Sequence, residues 1–292
     1  MLWIILTALA APLQVARNAL QRGLVGDAGP WGATLVRFLF GLPFSLAMFG
    51  VIAAVSQGAS PRMSFGYLIA AAVGALAQMG ATAALLVAMR RSGFAVATAL
   101  QQSSLPFAAL LGAALGDALP ATAWAGVALA TAGLSVLTWP RRGAGEGAFS
   151  GALLGLASGF AFAIALNSYR RAGILLEPEH PIYAALATVC LVQAFQTALL
   201  AGLLAAFRPS ALIAVLAAWR QSLGAGFCGS AASACWFAAL ALAPAGPVRA
   251  VGVIEMPIAA AAGRRLFRER LTLIQIVAGA VTAAGVALTA LG

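Results

Sequence analysis

Apolar runs of about 20 residues follow one another along almost the whole chain, and no polar stretch between them is long enough to fold alone. A helix of that length, rising 1.5 Å per residue, crosses about 30 Å of hydrocarbon. In lipid every backbone N–H and C=O must be satisfied inside the protein, so such runs become helices. Ten can be cut from the sequence: 2–21, 31–56, 65–88, 93–113, 119–138, 150–169, 181–206, 219–242, 246–264 and 271–291. Turn-forming segments separate them, among them GDAGP at 26–30, SQGASPR at 56–62, EPEHP at 177–181 and APAGP at 243–247. The expected fold is all-α integral membrane, with ten transmembrane helices.

Composition excludes the other classes. With 63% hydrophobic residues, 8% charged residues and a mean hydropathy of +0.99, the chain has too few charges for a soluble domain, which carries about a quarter. All 17 basic residues behind the net charge of +10 are arginines, 14 of them in or beside short loops, the pattern of an anionic cytoplasmic face and not of a nucleic-acid partner. The expected location is the inner membrane, multi-pass. Eleven arginines flank the odd-numbered connections, while Arg62, Arg170 and Arg171 flank the even ones. Charge alone therefore puts the odd connections in the cytoplasm and both termini outside. Cys190, Cys228 and Cys235 lie in apolar runs and are expected to pack as small hydrophobes without a disulfide. The first run has signal-peptide features but no basic segment before it, and is read as a retained helix. Trp31, Trp124, Trp139 and Trp219 near span ends suit an interfacial belt.

The chain also repeats itself. A Pro-containing helix, a short acidic turn and a Gly-rich helix run from Leu105 (LPFAALLGAALGDALPATAWAGVALATAGLSVL) and again from Met256 (MPIAAAAGRRLFRERLTLIQIVAGAVTAAGVAL). Asp117 and Glu269, Leu119 and Leu271, and Gly133 and Gly285 are each 152 positions apart, Pro106 and Pro257 are 151 apart, and Asn18 and Asn167 are 149 apart. Two five-helix repeats are expected, 1–139 and 150–292, joined by a linker at 140–149. Five crossings is an odd number, so the second copy sits upside down, the inverted-repeat arrangement of secondary transporters with a site near the midplane.

These features, with the segment TLVRFLFGLPF around Arg37, resemble the drug/metabolite transporter superfamily in its ten-helix EamA-type branch. The resemblance covers essentially the whole chain. It implies export or uptake of small metabolites, a central cavity lined by the third, fourth, eighth and ninth helices, packing roles for the fifth and tenth, and both termini inside. Basic loops after the second and fourth helices would usually accompany it. Here those loops hold only Arg62 and no base at all, and the charge count is preferred for orientation.

Glu255 is the leading candidate residue, as the only acid deep within an apolar run. A charge at the bilayer centre costs about 3 kcal/mol on insertion scales, and such residues are functional by default. Arg249 stands six residues earlier, about 9 Å along a continuous helix. Pro257 is expected to loosen the helix beside the charge. On the fold that the resemblance implies, the stretch of the fourth run facing Glu255 is Gln101-Gln102-Ser103-Ser104, whose polar side chains need partners in the bundle or water. Gln78 and Trp236 are further candidates for a substrate cavity, and Asn18 and Asn167 for its mouths. Packing is an alternative use for each of these residues, and the preferred one for Arg17 and Arg37. A lone His180 among Glu177 and Glu179 is too little for a metal site, and Gly151, Gly155 and Gly159 report close helix packing. No triad, metal cluster or phosphate-cradling loop is visible, so neither an enzyme nor a cofactor is expected.

The expected function is secondary active transport of a small organic metabolite, amino acid-like, a vitamin, a nucleobase or an amine, by alternating access, with protons coupled through Glu255 as one driving force. The expected protein is a monomer or homodimer in contact with lipid, with no nucleic acid. A non-transporting scaffold or a lipid-handling membrane enzyme is the alternative.

Overall fold

A computed structural model describes residues 1–114, 120–138, 147–267 and 272–291, and among them it is helical with no strand. Helix α1 (Leu2–Leu39) bends at Gly29, whose φ of 67° lies in the left-handed region that glycine tolerates. The bend reverses the chain. Gln21 Nε2 donates to Ala33 O at 2.7 Å, although twelve residues of straight helix would span about 18 Å. Then follow α2 (Leu42–Val55), α3 (Phe65–Ser92), α4 (Phe94–Gln101), α5 (Ser104–Ala114), α6 (Ala121–Thr138), α7 (Ala148–Leu176), α8 (Pro181–Phe207), α9 (Pro209–Ala217), α10 (Trp219–Leu242) and α11 (Ala245–Val251). A 3₁₀ turn (Gly252–Ile254), α12 (Glu255–Phe267) and α13 (Leu273–Leu291) complete the order.

Seven stretches among the described residues are long and apolar enough to cross a membrane, which makes this a multi-pass membrane protein. The expected fifth and tenth spans appear as shorter apolar stretches, Ala121–Gly133 and Leu273–Gly285, and the ninth is interrupted. Exposed apolar side chains such as Phe65, Val51 and Ile274 would be a liability in water and suit lipid. The acidic turns at Asp117 and Glu269, the linker from 140, and Arg141, Arg142, Arg268 and Arg270 lie outside the described residues.

Two compact units make up the chain: Met1–Met79 with Ser168–Ala243, and Gly80–Asn167 with Pro244–Gly292. Each draws on both halves of the sequence. In the first unit α1 packs along α10, and Leu35, Val36, Phe38, Leu200, Leu204 and Val215 form a core. Gly41, between α1 and α2, meets Ser230 and Gly226 of α10 so closely that a side chain would not fit. Ser230 Oγ donates there to Gly41 O at 2.7 Å. In the second unit α6 and α13 pack together through Gly133 and Gly285. A Cβ on Gly133 would meet Thr282, and one on Gly285 would meet the backbone of Gly126 and Ala130.

Candidate functional site

Two broken helices of the second unit build the site. After α4 the backbone bonding tightens at Gln102 and Ser103 to 3₁₀-type bonds on Ala99 O and Leu100 O, and α5 starts at Ser104. After α11 the 3₁₀ turn intervenes, and α12 starts at Glu255. Pro106 and Pro257 are each the third residue of the restarting helix, where a missing N–H is no loss. Pro257 thus belongs to a helix start, and the break expected beside it lies before Glu255. The two chains run antiparallel: Phe94, first in α4, stacks at 5.2 Å on Phe267, last in α12, while the opposite ends of these helices meet at Gln102 and Glu255. In the same way α5 packs on α11, and the two breaks come to one level.

At that level three side chains close a ring. Arg249 Nη2 donates to Gln102 Oε1 at 2.9 Å, Gln102 Nε2 donates to Glu255 Oε2 at 2.9 Å, and Arg249 Nη1 lies 3.6 Å from Glu255 Oε1. Arg249 is therefore an ion-pair partner of Glu255 and does not stand a further 9 Å away, because the helix between them is interrupted and the arginine reaches across the break. Glu255 is fully buried, and Gln102 and Arg249 are nearly so. Among the described residues of this unit, Arg249 and Glu255 are the buried charged groups. Burying an isolated charge costs several kcal/mol, and each here offsets the other. Glu255 also starts α12, where a helix N-terminus favours a negative charge. At 3.6 Å that contact is longer than a hydrogen bond, and the amide of Gln102 bonds to both charged groups.

Around the ring the sequence-derived candidates divide. Gln101 and Ser103 are buried beside the break, and Gln101 Oε1, Ser103 Oγ and Ser104 Oγ make no hydrogen bond. Gly159 of α7 fits against them: its Cβ would meet Ser103 Oγ, with Ser104 N at 3.0 Å and Gln101 O at 3.1 Å. The glycines at 151, 155 and 159 thus do serve packing, against Arg91, Leu100 and Ser103 in turn. Asn167 donates to Ala163 O at 3.0 Å and to Ala108 O at 3.4 Å, which ties α7 to α5. A largely apolar pocket of about 480 Å³ lies between α4, α12 and α13; Ala99, Met256, Pro257 and Gly279 line it, and none of the three ring residues does.

The remaining candidates belong to the first unit. Gln78 Oε1 accepts from Tyr169 Oη at 2.9 Å and from Gln196 Nε2 at 3.0 Å, and Tyr169 stacks at 4.1 Å on Phe237. Trp236 is buried in α10. Asn18 is buried too, not open at a mouth; its side-chain oxygen accepts from Arg17. Arg37 Nη2 donates to Ser233 Oγ at 3.0 Å, and Gly229 makes room for both arginine stems. Gln193 links Ser45 and Ser230 in a second polar chain. The sequence reading missed Tyr169, Gln193, Gln196 and Ser230. Gln193 and Gln196, three apart in an apolar run and so on one helical face, were the available signal.

Outside the membrane-spanning segments, Glu177 fastens two loops. Its carboxylate accepts from Ser60 N at 2.7 Å and Glu179 N at 3.2 Å, and His180 Nδ1 lies 3.7 Å away. The Ser60 N–H foremost, then the Glu179 N–H and His180, hold this carboxyl below its ordinary value. Among the described residues no group of three His, Cys, Asp or Glu side chains could hold a metal ion.

No family model matches the chain, and no curated protein matches it. Among solved structures, a protein crystal structure is similar over 99% of this chain and 96% of its own, at 21% identity and a TM-score of 0.62. That likeness is one of fold.

Proposed function

We propose that this protein is a secondary active transporter, of the drug/metabolite type with ten spans in two inverted five-helix repeats. It carries a small organic metabolite across the bacterial inner membrane by alternating access. Substrate and coupling proton engage the Arg249–Gln102–Glu255 ring. The observation that carries this reading is the meeting of two interrupted helices at a buried ion pair. Non-helical backbone at membrane depth is tolerated where it is buried in protein or lines a cavity, and secondary transporters build their sites from such half-helices. A scaffold gains nothing from it, since a continuous apolar helix packs as well without desolvating two charges. The mutual packing of α6 and α13 also fits the role that the resemblance implies for the fifth and tenth helices.

A ligand that binds only the folded state raises stability by mass action, by about 2.7 kcal/mol at a hundred times its Kd. The purified chain is tested by thermal unfolding against amino acids, nucleobases, vitamins and quaternary amines. At least one class is expected to raise Tm, and Gln102→Ala to reduce the rise. No rise with any of them contradicts the proposal.

A further inference from the structure

The pocket of about 480 Å³ opens sideways, for Pro257, Ile276 and Ala280 in its lining are exposed on the apolar surface of the second unit. An apolar space of this kind is not filled by water, and what reaches it comes from the bilayer. Its wall on α13 is one helical face: Ile276, Gly279, Ala280 and Ala283. On α12 the wall holds Pro257 and Ala260. The same face continues past the pocket to Arg264, seven residues after Pro257 and about 6 Å along the helix from Ala260.

That end of the groove is basic. Arg264 and Arg265 are exposed in the last turn of α12. Because Phe94 stacks on Phe267, the exposed Arg90 and Arg91 at the end of α3 stand at the same level; Arg91 also donates to Ser150 Oγ at 3.0 Å. Gln275, the polar side chain of the lining, lies toward this end as well. Gly279, one turn later, comes beside Met256 near the start of α12, and α13 begins six residues after α12 ends. An apolar trough and a cationic rim are thus set end to end, and long arginine side chains at helix ends reach the headgroup layer.

These two parts select an occupant. A soluble anion would use the rim and leave the trough empty, and an uncharged apolar molecule would do the reverse. A second copy of this chain would bring its own net charge of +10 to a positive rim, where like charges repel. A phospholipid of net negative charge uses both parts, and its glycerol spans the helical turn between Ala260 and Arg264. We infer that this groove is a binding site for an anionic phospholipid, with one acyl chain in the pocket between α4, α12 and α13 and the phosphate at Arg264 and its neighbours. The site is independent of the transporter reading.

The test uses two lipids that share their chains and differ in net charge, dioleoyl phosphatidylglycerol and dioleoyl phosphatidylcholine. Native mass spectrometry of the full-length chain in detergent, titrated with each, counts the bound lipids and gives their Kd. Wild type is expected to hold one phosphatidylglycerol with a Kd at least about fivefold below that of phosphatidylcholine, the contribution of one engaged arginine. Arg264→Gln is expected to remove most of that preference and leave phosphatidylcholine binding unchanged, while Arg208→Gln, in the first unit, keeps the preference. Ala260→Leu with Ala283→Leu fills the trough and is expected to weaken both lipids at least about fivefold. A phosphatidylglycerol with a diazirine on its acyl chain maps the site in wild type without any substitution, with crosslinks expected within 95–99, 256–260 or 275–283. Equal Kd values for the two lipids in wild type overturn the inference, as do an unchanged preference in Arg264→Gln, unchanged binding in the filled-trough variant, or crosslinks confined to other helices. A wild-type dimer that forms as lipid is stripped, and that the filled trough abolishes, assigns the groove to a second copy and overturns it too.

Discussion

Gln102 and Glu255, 153 positions apart in the chain, are joined by a 2.9 Å hydrogen bond between the breaks of two helices. The other end of the same amide accepts from Arg249, so one glutamine stands between opposite buried charges. No other neutral side chain but asparagine offers both a carbonyl and an NH₂ group, and asparagine is one methylene shorter. Gln102→Leu keeps the volume and removes both bonds. It is expected to cost about 1–3 kcal/mol, read as a lower Tm of the purified protein. An unchanged Tm would mean that the two bonds contribute nothing to the fold.

The ion pair should show itself in a double-mutant cycle. Glu255→Gln leaves the guanidinium of Arg249 buried without its carboxylate, at an expected cost of about 3–5 kcal/mol. Arg249→Met combined with Glu255→Gln should cost less than the sum of those two single changes, with a coupling of about 0.5–3 kcal/mol. Additive losses in denaturation midpoints would show that the charges do not depend on each other.

Gly159 is where α7 approaches the first break. An alanine Cβ there would overlap Ser103 Oγ and press on the backbone at Ser104 N, 3.0 Å away. Gly159→Ala is expected to destabilise by about 1–3 kcal/mol, as overpacking does. Gly80→Ala, whose Cβ would have nothing within 4 Å, is the control and should be neutral or slightly stabilising. Equal Tm values for the two variants would contradict the close packing of α7 on the break.

The Glu177 fastening gives a pH dependence whose sign follows from its bonds. Ser60 N–H and Glu179 N–H favour the ionised carboxyl and hold its pKa below the ordinary 4.5. Its stabilisation is therefore fully present above 4.5 and is lost as pH falls through the lowered value. The Tm of wild type should fall on acidification through that window, while Glu177→Gln should be less stable at neutral pH and lose that part of the dependence. Parallel Tm-against-pH curves for the two proteins would rule out the contribution.

The membrane class was legible because length and hydropathy decide it, whereas the facing of Gln102 and Glu255 followed only from the pairing of fourth and ninth helices that the resemblance implies. The role of Arg249 was not legible. Six residues of assumed continuous helix put it out of reach, and the 3₁₀ turn of Gly252–Ile254 packs against α13, a contact that local sequence does not encode. Pro106 and Pro257 marked the broken helices, but proline can kink a helix from within or start a new one, and only the hydrogen bonding tells which. Asn18 was buried beside Arg17 because the chain turns back at Gly29, a bend that a GDAGP segment permits but does not place in space.

Reconstituted transport tests the central claim most directly. Proteoliposomes preloaded with an unlabelled metabolite and diluted into the labelled one are expected to accumulate label by counterflow for at least one class of the panel, and to concentrate it further under an imposed pH gradient. Folded Glu255→Gln is expected to keep the exchange and lose the pH-driven accumulation. No exchange beyond protein-free liposomes across the panel would contradict transport, and a Glu255→Gln protein that concentrates substrate as wild type does would contradict the role given to Glu255.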